Sequence, residues 1–221
     1  FAQTSPGVAV SVDGQALRVA ADGRFVFGLD RDAADETTLV LTPPDGAPST
    51  LRYPVAKRDY AIQRISGLPP KQVNPDPKMD ARIAQEAAAN RAARARNSDM
   101  TAVFQSFIWP ARGAITGVFG SQRILNGEPK QPHYGVDVAG PIGAPVVAPA
   151  DGVVSLANDD MFFSGGTLFV DHGFGVSSAF LHLSRILVKE GQRVKQGERI
   201  ALIGKTGRVT GPHLDWRVNW F

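Results

Sequence analysis

Short apolar runs separated by glycine-containing turns are the feature that most limits how this chain can fold. Valines alternate with other residues over 8–12, and Asp13-Gly14 follows, a dipeptide typical of two-residue β-hairpins. Three further runs have the same character: 25–27, 38–41 and 51–55. This spacing predicts a small β-sandwich over residues 1–60. No residue pattern in it suggests chemistry, so we expect a spacer or docking module.

The amino-acid composition changes twice in the middle of the chain. Prolines punctuate 66–79 and predict an extended linker. An Ala/Arg-rich segment over about 78–97 predicts a helix, with Asp76 as its cap and Pro77 at its first position. Two interpretations of this helix stay open. Its arginines form a solvated face, or the helix lies over a binding groove or contacts a partner. Linker and helix together occupy residues 61–103.

Short strands with turn signals return after residue 104 and continue to the end of the chain. They predict a C-terminal antiparallel β domain over 104–221, so the whole chain is expected to be mainly β. The hydrophobic fraction of 43% is sufficient for a core. No apolar run approaches ~18 residues, so no integral membrane segment is expected.

Composition and charge limit the kinds of metal site and binding partner that are expected. The chain has no cysteine, which excludes disulfides and thiolate metal sites. A net charge of +3 favours an anionic polymer as partner. The positive residues are too few, and too free of interleaved aromatic residues, to predict nucleic-acid binding. The chain starts at Phe1 without a basic-then-apolar leader, which fits either a mature exported chain or a trimmed chain.

The four histidines all lie after residue 132, and three of them mark separate segments. His133 precedes Asp137 by four residues, His182 lies in a leucine-rich stretch, and His213 precedes Asp215 by two. Side chains two apart on a strand point to the same face. Imidazoles and carboxylates that converge from separate segments are what a divalent metal site needs. The fourth histidine, His172, is interpreted as structural.

Geometry constrains the first of these segments. Residues four apart on a straight strand are separated by about 13 Å, too far for two ligands of one ion. The chain is therefore expected to bend between His133 and Asp137. Gly135 is the residue whose conformational freedom permits that bend.

Together these motifs resemble the M23 family, the zinc endopeptidases of the lysostaphin and LytM type that cut peptide cross-links of bacterial cell wall. His133-x-x-x-Asp137 matches the first motif and His182-Leu183-Ser184 the second. The run from Thr206 to His213 matches the lead-in to the third motif, H-x-H. The resemblance covers roughly residues 107–221. One departure stands out, because Asp215 occupies the place of the last histidine.

The resemblance implies a role for each position. His133 and Asp137 become metal ligands, His182 and His213 become catalytic histidines, and the third ligand position falls on Asp215. The implied cofactor is one Zn²⁺, which accepts carboxylate oxygen. A set with two carboxylates also suits Mn²⁺ or another hard divalent metal. It would leave a weaker Lewis acid than a set with two histidines and one aspartate.

The resemblance also implies a substrate and a compartment. The expected substrate is the peptide stems of peptidoglycan in the periplasm or another exported location, with Arg123 pairing with a substrate carboxylate. Three alternatives stay open. Arg123 is a surface arginine; the domain is a catalytically degenerate LytM-type module that binds cell wall or activates a cell-division or wall-hydrolase partner; or the helix or the N-terminal domain blocks the groove.

Overall fold

The structure is a computed structural model that describes residues 1–221 apart from the side chain of Gln72. The first part of the chain contains six short strands: β1 Ala2–Gln3, β2 Ala9–Val12, β3 Gln15–Ala16, β4 Arg24–Phe25, β5 Glu36–Thr42 and β6 Ser49–Pro54. Strands β3, β2, β5 and β6 form one antiparallel sheet in that order, and β1 pairs with β4.

The predicted hairpin signal at Asp13-Gly14 is confirmed. Both residues have positive φ, 47° and 84°, as a two-residue hairpin turn between β2 and β3 requires. Phe25 of the β1–β4 pair packs against Val10, Val12 and Leu39 of the four-stranded sheet. The two sheets therefore share one apolar cluster, while a full β-sandwich stays a prediction.

The expectation of an extended linker over 66–79 is wrong. Strand β7, Ile62–Ile65, pairs in parallel with a later strand, β9 (Gln122–Leu125), and the one-turn helix α1, Pro70–Val73, follows it. Leu68 and Val73 are buried against Leu125. Proline restricts the backbone but does not prevent apolar neighbours from packing, and two leucines and a valine outweigh the proline signal here.

The predicted Ala/Arg-rich helix is present. A short 3₁₀ turn, Pro77–Met79, leads into helix α2, Asp80–Arg94. Asp76 caps the 3₁₀ turn rather than α2, because its carboxylate accepts a hydrogen bond of 2.9 Å from the Lys78 N–H, whereas Met79 precedes α2 without a side-chain cap. Ala93 is buried against Phe169, Ala179 and Leu181. The helix ends three residues earlier than predicted. No described helix has the length and apolarity needed to span a membrane.

The C-terminal part is an antiparallel β structure around one core. Its remaining strands are β8 Ile115–Gly117, β10 Glu128–Pro129, β11 Val136–Ala139, β12 Pro145–Val147, β13 Gly152–Met161, β14 Gly165–Gly173, β15 Val176–Ile186, β16 Arg193–Val194, β17 Arg199–Ile203 and β18 His213–Trp220. The main sheet has the order β16-β13-β14-β15-β18-β11-β8, and β17 joins β15 to β12. The core is built by aliphatic and aromatic residues, including Val138, Leu168, Phe180, Ile203 and Leu214, and its valines, isoleucines and phenylalanine are residues that strands favour.

Candidate metal centre

Strand pairing brings the two aspartates together. Asp137 on β11 lies directly opposite Asp215 on β18, and residues opposite each other on one face of a sheet are close neighbours. His133 lies just before β11, and its backbone exchanges hydrogen bonds of 2.7 and 2.9 Å with Gly120 and Ser121. The three residues are buried and offer ligand atoms within 4.8 Å of one another.

Gly135 lies in the bend between His133 and Asp137, but its role differs from the prediction. Its φ is not in the positive range, so the bend does not depend on backbone freedom. A Cβ added at Gly135 would overlap the Asp215 Oδ1 atom and come within 2.8 Å of Arg217 Cγ. The glycine therefore provides space for the Asp215 carboxylate.

The donor atoms are spaced as the ligands of a single ion would be. His133 Nε2 lies 3.0 Å from Asp137 Oδ1 and 3.3 Å from Asp215 Oδ2. Ligand atoms at 2.0–2.2 Å around a tetrahedral ion are roughly 3.4 Å apart. Both His133 Nε2 and Asp137 Oδ1 are buried without a hydrogen-bond partner among the described residues. The atoms are thus close without being aligned for hydrogen bonds, which fits a shared cation between them.

Two arginines complete the charge balance of this site. Arg123 donates to Asp137 Oδ2 over 2.7 Å and to Gln63 over 3.3 Å. Arg217 holds Asp215 with two hydrogen bonds, 3.0 Å to Oδ1 and 2.7 Å to Oδ2. Ligating carboxylates usually carry such outer partners. Sequence reasoning missed Arg217, although its spacing from Asp215 puts both on one face of β18.

These partners set the ionisation of the buried groups. Burial alone would raise the pKa of Asp215, but Arg217 and His133 hold that pKa well below its usual value. Burial likewise opposes ionisation of Asp137, yet His133 and Arg123 lower its pKa. Burial would lower the pKa of His133, but the two carboxylates outweigh it and raise that pKa. The site therefore holds two carboxylates in their ionised form.

His182 and His213 lie side by side next to the three predicted ligands. Their ring centroids are 4.9 Å apart, and His213 Nε2 lies 3.6 Å from Asp137 Oδ1. Each Nδ1 donates a 2.9 Å hydrogen bond to a backbone carbonyl, that of Thr206 for His182 and that of Gly211 for His213. Because a carbonyl only accepts, Nδ1 carries the proton and Nε2 stays free as a base.

His182 is the more deeply placed of the two rings. Burial lowers the pKa of His182 to about 4, so its imidazole is neutral around pH 7. The residue has a φ of 65°, an uncommon backbone conformation outside glycine that often accompanies functional sites. A neutral ring with a free Nε2 is able to accept a proton.

His172 is separate from this group and is structural, as predicted. Its ring is fully buried and contacts the Asp151 carbonyl at 2.7 Å and the Ser178 hydroxyl at 2.9 Å. Both ring nitrogens therefore have partners within the β structure. No nitrogen is left for a ligand.

A cleft of about 490 Å³ opens onto the centre. His133, His182 and Asp215 form part of its wall, and Arg123 also lines it. The structure thus places Arg123 at the cleft, in contact with Asp137 rather than free for a ligand. The roles of His133, Asp137, Asp215, His182, His213 and Arg123 remain predictions.

Comparisons with known proteins agree with this architecture. The family model described as peptidase family M23 matches residues 131–220. A crystal structure of a Pseudomonas aeruginosa protein assigned to peptidase M23 is 32% identical, with a TM-score of 0.76, and the match covers 98% of this chain and 84% of that one.

Curated relatives match over a shorter stretch. Peptidoglycan DD-endopeptidase ShyA of Vibrio cholerae is 48% identical over 87 residues, which are 39% of this chain and 20% of ShyA. Cell division protein DipM of Caulobacter vibrioides is 35% identical over 114 residues, 52% of this chain and 18% of DipM. The chain thus spans about a fifth of the length of these relatives. The agreement of motifs, fold and full-length structural match shows that the chain belongs to peptidase family M23.

Proposed function

We propose that this chain is a metal-dependent endopeptidase that hydrolyses peptide cross-links of bacterial peptidoglycan. The observation that carries the proposal is the placement of two imidazoles with free Nε2 atoms beside a buried set of one histidine and two carboxylates. The similarity to a relative named peptidoglycan DD-endopeptidase supports the substrate class. The same substrate supports a periplasmic or otherwise exported location.

His133, Asp137 and Asp215 are the residues that would hold the cation. Zinc is the proposed ion, and Mn²⁺ is an alternative because two of the three ligands are oxygens. When bound, such an ion polarises a carbonyl and makes water more acidic. Arg123 and Arg217 draw negative charge away from the two carboxylates, which partly offsets the weaker Lewis acidity that two aspartates impose.

The two free imidazoles supply the proton transfers. One of them accepts a proton from the attacking water, and the other stabilises the developing oxyanion or protonates the departing amine. His182 is neutral and rigidly held, and His213 is nearer to Asp137. Both are suited to act as the base, so the order of the two roles stays open.

A second candidate function has its own supporting observation. Each predicted carboxylate ligand already pairs with an arginine, and a guanidinium competes with a divalent cation for the same carboxylate. This favours a degenerate LytM-type module that binds cell wall or activates a wall hydrolase. The relative DipM, named a cell division protein, is consistent with a partner of that kind.

The test is elemental analysis combined with hydrolysis of purified sacculi, on wild type and Asp215→Ala side by side. The endopeptidase proposal expects one equivalent of zinc and released cross-link products in the wild type, and loss of both in the variant. His133→Ala should behave in the same way. Wild-type protein that takes up no metal, even after zinc is added, and releases no product would replace the proposal with the regulatory module.

A further inference from the structure

Helix α2 contributes directly to the wall of the cleft that contains the candidate centre. Asn90 and Arg94 line this cleft together with His133, His182 and Asp215. Both helix residues lie outside the 131–220 stretch that the family model matches. They are four residues apart, so they lie on the same face of the helix. The linker helix therefore extends the cleft beyond the stretch that the family model matches.

Contacts at both ends of helix α2 hold Asn90 and Arg94 at the cleft. Ala93 is only 3% exposed and packs in the cluster with Phe169 and Leu181. At the other end of the helix, Arg82 bonds to Glu86 and to Asp160, 2.6 and 3.1 Å away. Glu86 in turn accepts a hydrogen bond of 2.8 Å from the Phe162 N–H. These contacts fix the position of α2 on strands β13 to β15.

Two polar groups that α2 brings to the cleft lack partners. The Arg94 side chain is half-buried and makes no hydrogen bond or ion pair in the described part of the chain. The Asn90 Oδ1 atom is buried, also without a hydrogen-bond partner. Burying polar groups unpaired is costly. One unpaired donor group and one unpaired acceptor therefore line the same cleft.

The charge of the cleft identifies the kind of ligand these groups would take. Among the described lining residues only Asp215 is acidic, whereas five are cationic: Arg94, Arg123, Lys130, Arg208 and Arg217. Arg123 and Arg217 are paired with aspartates, and Lys130 pairs with Glu128. Burial and the nearby Arg217 lower the pKa of Arg94, which reflects an unfavourable environment that an anion would relieve.

We propose that Arg94 and Asn90 form a subsite for a free carboxylate on the peptide substrate. Arg94 binds the carboxylate with its guanidinium, a geometry that suits two parallel hydrogen bonds. The Asn90 Oδ1 atom accepts the hydrogen bond of the neighbouring amide N–H of the same peptide. The inference rests on the proposed peptide substrate, and it makes α2 a specificity element rather than a spacer or a cover.

The test uses the full chain and two fluorescently labelled tetrapeptide stems. One stem ends in a free D-alanine carboxylate, and the other ends in the corresponding amide. Binding is followed by fluorescence anisotropy in EDTA, so that neither cleavage nor a bound metal contributes. We expect wild type to bind the carboxylate form more tightly, and Arg94→Gln to lose about tenfold of that preference, the usual effect of removing a charge-assisted hydrogen bond.

Arg91→Gln is the matched control, because Arg91 lies on the same helix, is exposed and lies outside the cleft. It should keep the wild-type preference. Arg94→Lys should recover part of it, which guards against a folding defect in Arg94→Gln. The proposal is overturned if wild type does not distinguish the two stems, or if Arg94→Gln and Arg91→Gln behave alike.

Hydrolysis of sacculi, run in parallel with zinc present, separates this inference from the proposed function. A carboxylate preference that depends on Arg94, without hydrolysis by any variant, keeps the subsite and removes the endopeptidase. Faster hydrolysis by Arg94→Gln than by wild type would identify α2 as a cover and overturn the subsite. Hydrolysis with a raised KM and unchanged kcat in Arg94→Gln supports both proposals.

Discussion

At the scale of single residues, the pairing of Asp215 with Arg217 decides how the candidate centre holds its charge. The Asp215 side chain is 1% exposed, whereas that of Arg217 is 29% exposed. The buried Asp215 carboxylate therefore depends on Arg217 to balance its charge, whereas the Arg217 guanidinium is also partly solvated. Breaking a buried ion pair from one side leaves an uncompensated charge.

Arg217→Met should therefore destabilise the metal-free protein by on the order of 3 kcal/mol at pH 7. Without Arg217, the pKa of Asp215 rises, because His133 alone then opposes the effect of burial, and the folded variant takes up a proton at a higher pH than wild type does. The loss relative to wild type should shrink as the pH falls from 7 towards 5. Urea unfolding in EDTA measures both effects, with the exposed strand residue Arg193 changed to Met as control. An equal loss for both variants would contradict the argument.

His172 gives a second prediction that is independent of the candidate centre. Burial lowers the pKa of His172 below its ordinary value of 6.5. Its neutral form is therefore favoured in the folded state, and the unfolded chain binds more protons below pH 6.5. Stability should fall as the pH drops from 7 to 5. The decline should be smaller in His172→Gln, measured by urea unfolding across that range. An identical slope in both proteins would rule out this role.

Much of the residue-level site follows from the sequence, and the rest depends on long-range pairing. His213 and Asp215 share a face of a strand by spacing alone. That Asp137 lies opposite Asp215 depends on which of many strands pair, and spacing does not determine this. The sequence predicts backbone freedom as the role of Gly135, because its neighbours across the sheet are not visible in a sequence. Arg217 was missed because one charged residue on a strand carries no signal of its partner.

At the scale of elements, helix α2 is predictable as a helix, but its packing is not. The alanine-rich composition and the Asp76 cap predict helical structure. Its low hydrophobicity indicates a solvated helix, yet Ala93 is buried and Arg94 reaches the cleft. Small alanine side chains let a helix approach a sheet closely. A weak apolar stripe is therefore compatible with tight packing.

Replacing Ala93 by Arg should detach α2 from strands β14 and β15, because the new side chain has no space among Phe169, Ala179 and Leu181. Overpacking of this kind typically costs 1–3 kcal/mol. Limited trypsin digestion should then cut within 76–97 much faster than in wild type. The exposed neighbour Ala92 offers a matched control, since Ala92→Arg adds the same cleavage site without the clash. Equal digestion of both variants would show that Ala93 does not anchor the helix.

At the scale of the whole molecule, the predicted linker segment 61–103 packs against the C-terminal part of the chain. Strand β7 lies after the first boundary and pairs with β9 of the C-terminal part. Helix α2 and Val73 also pack there. The predicted linker is thus joined to the C-terminal part by sheet pairing and by apolar contacts. A division based on composition alone does not reveal such contacts.

A chain of residues 61–221 should consequently unfold at a higher temperature than a chain of residues 104–221. The shorter chain exposes Leu125, Phe169 and Leu181 and loses the β7 pairing. Removing one kcal/mol shifts the midpoint by roughly 2–8 °C, depending on chain length. Thermal unfolding by circular dichroism compares the two chains with the full one. Equal midpoints for the two truncated chains would show that 61–103 does not stabilise the C-terminal part.

The parallel pairing of β7 with β9 also has a mechanical consequence. Gln63 of β7 contacts Arg123, which in turn holds Asp137. The chain runs from the N-terminal sheet into β7, and β7 carries no other strand on its outer edge among the described residues. A pulling force that separates β7 from β9 would remove one support of Arg123. Stretching of the chain would then change the surroundings of Asp137, a candidate metal ligand.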